Sequence, residues 1–130
     1  MIRVVAGICI HEKKILMGCR LANDGAFGSH WEFPGGKREE GEKDEEALKR
    51  EFKEELGVEV TETKFFQRIL WQYPEKTVEL MFYFVKLSSL NVSDYQLDSH
   101  SELKWVTKEE ALSLKVLPAN LELIKQIPVK

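Results

Sequence analysis

A chain of 130 residues, 43% hydrophobic and 32% charged, has the make-up of one globular domain and excludes a disordered, collagen-like or coiled-coil protein. Its formal net charge of -3 and pI of about 5.7 argue against a polynucleotide partner, which calls for a basic face. They leave room for a small nucleotide whose phosphates are bridged to acidic side chains by metal ions.

The N-terminal run MIRVVAGICI has no basic leader and is too short an apolar stretch for a signal peptide or membrane span. Two cysteines, Cys9 and Cys19, lie in stretches that read as neighbouring strands; without a secretory signal they fit free thiols better than a disulfide. A cytoplasmic protein is expected, with no membrane partner.

In chain order, Ile2–Ile10 is rich in β-branched residues and predicts a buried strand. A polar turn, His11-Glu12-Lys13, leads to a hairpin partner over Lys14–Arg20. Leu21–His30 is rich in Asn, Asp, Gly and Ser and predicts a loop, and Trp31–Phe33 a short strand stopped by Pro34-Gly35-Gly36. Asp44–Leu56 predicts a helix: Ala47, Leu48, Phe52 and Leu56 recur at helical spacing, acids open it and Gly57 ends it. Val58–Tyr73 and Thr77–Leu87 predict two strands joined through Pro74-Glu75-Lys76. Asn91–Ser101 reads as a polar loop, Leu103–Val106 as a short strand, Lys108–Leu112 as a helical turn and Ala119–Ile127, after Pro118, as a terminal helix. One helix between strands, then more strands and a final helix, predicts a single domain of the α/β (α+β) class, a mixed sheet covered by helices.

The chemistry concentrates in GKREEGEKDEEALKREFKEELGV, Gly36–Val58. On the predicted helix Glu51, Glu54 and Glu55 fall on one face, with Glu42 in the loop before it. Such a face is commonly just solvated, and its like charges repel by a few tenths of a kcal/mol per pair. A hard divalent cation reverses that repulsion, because it takes carboxylate ligands and bridges them to substrate phosphates. The order Gly36, Glu42, Arg50-Glu51, Glu54-Glu55, Gly57 fixes seven identities, which coincide by chance in on the order of 10⁻⁹–10⁻⁸ of windows.

This stretch matches the signature of the Nudix hydrolases, and the chain resembles that family over most of its length. Trp31-Glu32-Phe33-Pro34-Gly35-Gly36-Lys37, Tyr73-Pro74 with LMFYF, and Pro118-Ala119-Asn120 are similar to the corresponding parts of MutT-type members, which clear oxidised guanine nucleotides. The resemblance implies an α/β/α sandwich built on a mixed sheet. It implies that the Gly35 carbonyl, Glu51, Glu54 and Glu55 hold magnesium, or manganese, which also accepts carboxylates. Arg50 would orient a neighbouring glutamate. Water would attack the triphosphate chain, with Glu51 first, then Glu42 and Glu54, as acceptor of its proton, releasing a nucleoside monophosphate and pyrophosphate.

One departure stands out. Many relatives carry a glutamate six residues before the late tryptophan; counting back from Trp105 gives Ser99, with Asp98, His100 and Glu102 beside it. A one-residue slip brings Asp98 into that metal-binding role, and His100 reads as a solvent-exposed loop histidine.

For the substrate, the resemblance makes Asn120 the reader of the purine edge, against the alternative of a helix N-terminal cap. Ile2, Val4, Tyr73 and Val78 match apolar walls for the base, or else belong to the core. Phe33 would offer backbone groups with its ring packed inside. Arg20 resembles an arginine that contacts substrate phosphates, or is an ordinary exposed one. The implied substrate is a small nucleotide, 8-oxo-dGTP ahead of CTP, dCTP or 5-methyl-dCTP, with ADP-ribose and dinucleotides behind. A non-catalytic ligand sensor is the alternative outside enzymology, and monomer and homodimer both remain open.

Overall fold

The computed structural model describes residues 1–129. The strands are β1 (Ile2–Ile8), β2 (Ile10–His11), β3 (Lys14–Arg20), β4 (Trp31–Glu32), β5 (Gly35–Lys37), β6 (Val60–Gln72), β7 (Thr77–Leu87) and β8 (His100–Thr107). The helices are α1 (Asp44–Leu56), α2 (Lys108–Ser113) and α3 (Pro118–Ile124). One sheet has the order β5-β1-β7-β6; it is mixed, because β1 and β7 run parallel while β5 and β6 are antiparallel to their neighbours. In the second sheet β3 carries β8 along its length and β2 and β4 at its two ends.

Alternation along the strands divides the core in two. On one face of the first sheet Val5, Tyr83 and Val85 meet Ala47, Leu48, Phe52 and Leu56 of α1. On the other, Ala6, Val78, Leu80 and Phe82 meet Ile15, Met17 and Val106 of the second sheet and Ala119, Leu123 and Ile124 of α3. The sheet is thus apolar on both sides, as expected for strands sandwiched between layers.

Local signals account for α1. Glu46 accepts the Lys43 N–H (2.8 Å), three acids occupy its first turn, and Gly57 ends it at φ 70° with its N–H on the Lys53 carbonyl (3.0 Å). Gly7 lets the helix approach, since a Cβ there would lie 2.6 Å from the Phe52 ring. Its spacing then turns Glu51 and Glu55 toward β5 while the apolar stripe faces the sheet.

Three differences from the expected elements bear on the site. The strand expected over Ile2–Ile10 breaks at Cys9, where the chain leaves β7 and Ile10 pairs with Ile15 of β3 instead. Gly35 and Gly36 do not merely stop a strand: with Lys37 they form β5, paired to Ala6, Val5 and Val4. β8 begins at His100, inside the stretch expected as loop. Cys9 and Cys19 are free thiols, and burial pushes the Cys9 thiol up to about 11.

Beside α1 the same sheet carries a charged lattice. Glu79 accepts hydrogen bonds from Arg3 and Arg68, which hold its carboxyl below the usual value of 4.5, and Tyr83 donates to Asp44 at 2.8 Å. A carboxylate whose pKa is lowered by folding contributes stability that is present above the unfolded value and lost as pH falls through the folded one. Glu79→Gln is therefore expected to destabilise the protein at neutral pH in urea unfolding, the gap closing as pH drops below about 4.5. A gap that does not change with pH would contradict this account.

Candidate active site

A cleft of about 640 Å³ opens where β1, β5, β7, β4 and α3 meet. Of the residues singled out from the sequence, Ile2, Val4, Arg20, Phe33, Gly35, Glu51, Glu55, Tyr73, Val78 and Asn120 line it; Arg50, Glu42, Glu54 and Asp98 do not.

The acidic end is built by α1 against β5. Gly36 faces Glu51 so closely that a Cβ would run into its carboxyl, and Gly35 leaves no room for one against the Val5 carbonyl. Glu55 is buried, at 6% exposure, and one of its oxygens has no protein partner. Burial first, then the adjoining Glu51, then Glu32 push its carboxyl up to about 9. A buried carboxyl group with an unpartnered oxygen beside a second one is stabilised by either a proton or a cation. The donors gathered here are hard oxygens (Glu51, Glu55 and the Gly35 backbone) and fit magnesium or manganese. Among the described residues no three His, Cys, Asp or Glu side chains already converge as a metal cage. Glu54 explains this: its side chain is 57% exposed and reaches Arg50 (3.3 Å), not the cleft.

Arg50 organises these acids from outside. It grips Glu42 with two donors (2.8 and 3.0 Å), Glu51 at 2.9 Å and the Lys37 carbonyl at 3.0 Å. Those bonds keep Arg50 above its ordinary range, and the Arg50 bond is the main cause that lowers Glu42.

The other end is apolar. Ile2 and Val4 on β1 stand opposite Val78 and Leu80 on β7 and share their face. Tyr73, at the tip of the β6–β7 hairpin, meets Phe27 edge-on, with ring centroids 6.1 Å apart. The Phe33 ring is buried against Phe82. Trp31 ties the lead-in of α3 to β4 through Lys115 (2.8 Å) and Leu117 (3.0 Å), so Asn120 Oδ1 accepts the Phe33 N–H at 2.9 Å. This corrects the capping alternative for Asn120: Leu117 stands at the N-cap, and Asn120 is buried two residues past Pro118.

The late loop also departs from expectation. Ser99 lines the cleft, whereas Asp98 and Glu102 are exposed. His100 is a correction, since it is no exposed loop histidine but 1% exposed at the head of β8, with Nε2 2.9 Å from Glu32. Glu32 was not singled out; its other oxygen holds Arg20 (3.0 Å), which also pairs with Asp24 at 2.6 Å. A charged residue inside the apolar entry Trp31-Glu32-Phe33 was the available signal. Lys37 and Lys76, also unforeseen, add positive charge to the lining.

Comparison with known proteins gives the family. A model of the NUDIX domain matches residues 1–127, and the chain belongs to that family of hydrolases, whose members generally use divalent metal ions. It is 35% identical to the CTP pyrophosphohydrolase of Escherichia coli (strain K12), across 96% of this chain and 90% of that one. It is 40% identical to the 8-oxo-dGTP diphosphatase of Haemophilus influenzae, over 65% of this chain and 62% of that one. Among solved structures, the E. coli ORF135 protein aligns with a TM-score of 0.82 at 34% identity, covering 96% of this chain and 86% of that one. The MutT protein of Methanosarcina mazei Go1 gives 0.83 at 25%, covering 96% and 91%. Among the described residues no helix is long and apolar enough to cross a membrane.

Thermal unfolding with and without magnesium or manganese tests the acidic end. The wild type is expected to gain thermal stability from either ion. Glu55→Gln is expected to lose that gain while melting no lower than wild type without metal, because the amide replaces a buried carboxyl that adjoins Glu51 and has one oxygen without a protein partner. An equal gain in both proteins would contradict the assignment.

Proposed function

We propose that this chain is a single-domain, cytoplasmic, divalent-metal-dependent nucleoside triphosphate pyrophosphohydrolase. It releases a nucleoside monophosphate and pyrophosphate and clears damaged nucleotides from the pool, with 8-oxo-dGTP the leading substrate. The observation that carries this reading is a cleft of about 640 Å³ that joins an apolar end to an acidic end suited to metal-bound phosphates.

At the apolar end the base lies between the walls of Ile2, Val4 and Val78, with Tyr73 beside Phe27 at the mouth. Asn120 spends Oδ1 on the Phe33 N–H, which leaves its Nδ2 donors for an acceptor on the base edge. The 6-oxo group of a guanine-type base is such an acceptor. Arg20, Lys37 and Lys76 supply positive charge for the phosphate chain.

At the acidic end Glu51, Glu55 and the Gly35 carbonyl would hold the ion, with Glu54 joining them if released from Arg50. A bound divalent ion supplies charge neutralisation on the phosphate oxygens and a lowered pKa for the attacking water. Glu51 accepts the water's proton; it is the motif glutamate that faces the cleft with one oxygen steadied by Arg50. Glu42, with both oxygens on Arg50, orients that arginine.

A second reading, hydrolysis of CTP or a modified dCTP, is favoured by the 35% identity to a CTP pyrophosphohydrolase over nearly the whole chain. The difference rests on a few pocket contacts worth roughly 1–3 kcal/mol each. The test is kcat/KM with magnesium on 8-oxo-dGTP, dGTP, CTP, dCTP, 5-methyl-dCTP and ADP-ribose, with the leaving phosphate identified. A preference of about tenfold or more for 8-oxo-dGTP over dGTP, with pyrophosphate released, is expected. Cytidine nucleotides in the lead would replace the substrate and keep the chemistry. No turnover on any of them would sink the enzymatic reading in favour of a ligand sensor.

A further inference from the structure

We propose that His100 is a positioning residue: from inside the core it fixes Glu32, and through Glu32 it sets Arg20 in the cleft wall for the phosphate chain. The proposal rests on the reading of Arg20 as a phosphate contact given above.

His100 is a polar ring among the largest fully buried side chains, where apolar residues are the rule. The fold makes room for it. Gly18 on β3 lies under the ring, and a Cβ there would stand 2.6 Å from the imidazole Cδ2. Nε2 is 2.9 Å from Glu32 Oε2; because a carboxylate accepts, Nε2 is the nitrogen that carries the proton. Nδ1 is buried with no protein partner, so the ring's one polar link runs to Glu32.

Glu32 passes that link outward. Its second oxygen takes Arg20 Nη1 at 3.0 Å, while Nη2 of Arg20 meets Asp24 at 2.6 Å and its Nε is buried and unpartnered. Glu32 and Arg20 line the cleft and His100 does not, so the chain of bonds runs from core to substrate side. An arginine held in place before its ligand arrives loses less freedom on binding. Its loss of position therefore appears in substrate binding more than in the chemical step.

The test compares His100→Ala, His100→Gln, Arg20→Ala and the His100→Ala/Arg20→Ala double variant on the best nucleoside triphosphate. His100→Ala is expected to raise KM roughly tenfold with kcat little changed, the size usual for losing a partner that orients a functional side chain. His100→Gln, whose amide still donates to Glu32, recovers most of the loss, and in the Arg20→Ala background the His100 change adds nothing. A wild-type KM in His100→Ala, a fall in kcat instead, or a full effect without Arg20 would each overturn the proposal.

A long-range ¹H–¹⁵N spectrum of the imidazoles in the full protein needs no turnover and decides the matter if His100→Ala does not fold. A proton on Nε2, its signal shifted by Glu32→Gln, is expected; an Nε2 without a proton would overturn the proposal. Wild-type protein that hydrolyses no nucleotide would defeat the functional reading, and with it Arg20 as a phosphate contact. The spectrum would still report on the bond to Glu32 separately.

Discussion

Glu55 is taken out of water beside Glu51, and one of its oxygens finds nothing in the protein to bond. Burial of a carboxyl group is unfavourable, and here burial first and then the adjoining Glu51 push it up to about 9. The rest of the site follows from how the fold sustains that arrangement. The sandwich covers the pair on the sheet side, the glycines of β5 let α1 come close, and Arg50 balances the acids from outside. A hard cation bound in this state would relieve a penalty already built into folding.

The two ends of the cleft depend on different parts of the chain, and β4 with β5 joins them. This short stretch supplies Glu32 beside Arg20, the Phe33 N–H to Asn120, and the two glycines facing α1. Each of these contacts uses backbone or a short reach, so small shifts of the strand would be felt at both ends together. The lead-in of α3 is anchored to it through Trp31, which keeps the apolar and acidic ends in register.

Much of this was legible in the sequence where local signals suffice. The bounds of α1 and β7 were read to the residue, because caps, helical spacing and an alternating apolar run are local properties. β5 was not, since Gly35 and Gly36 have no strand preference of their own and pair only because β1 offers a free edge. His100 was read as exposed, and Glu32 was passed over, for a related reason: both are polar, whereas Gly18, on β3 and far from β8 in sequence, opens a space only in the folded sheet. Asn120 illustrates the same limit. Its place beside Pro118 left base reader and helix cap evenly open, and its bond to the Phe33 N–H, next to the bridge between Trp31 and Val116, exists only in the fold.

The most direct test of the central claim is the position of the metal. Crystals of the protein grown with manganese would be measured at a wavelength where manganese scatters anomalously. The account predicts an anomalous peak in contact with the Glu51 and Glu55 carboxylates at the acidic end of the cleft. A peak elsewhere on the chain, with those two carboxyls left unbound, would contradict it.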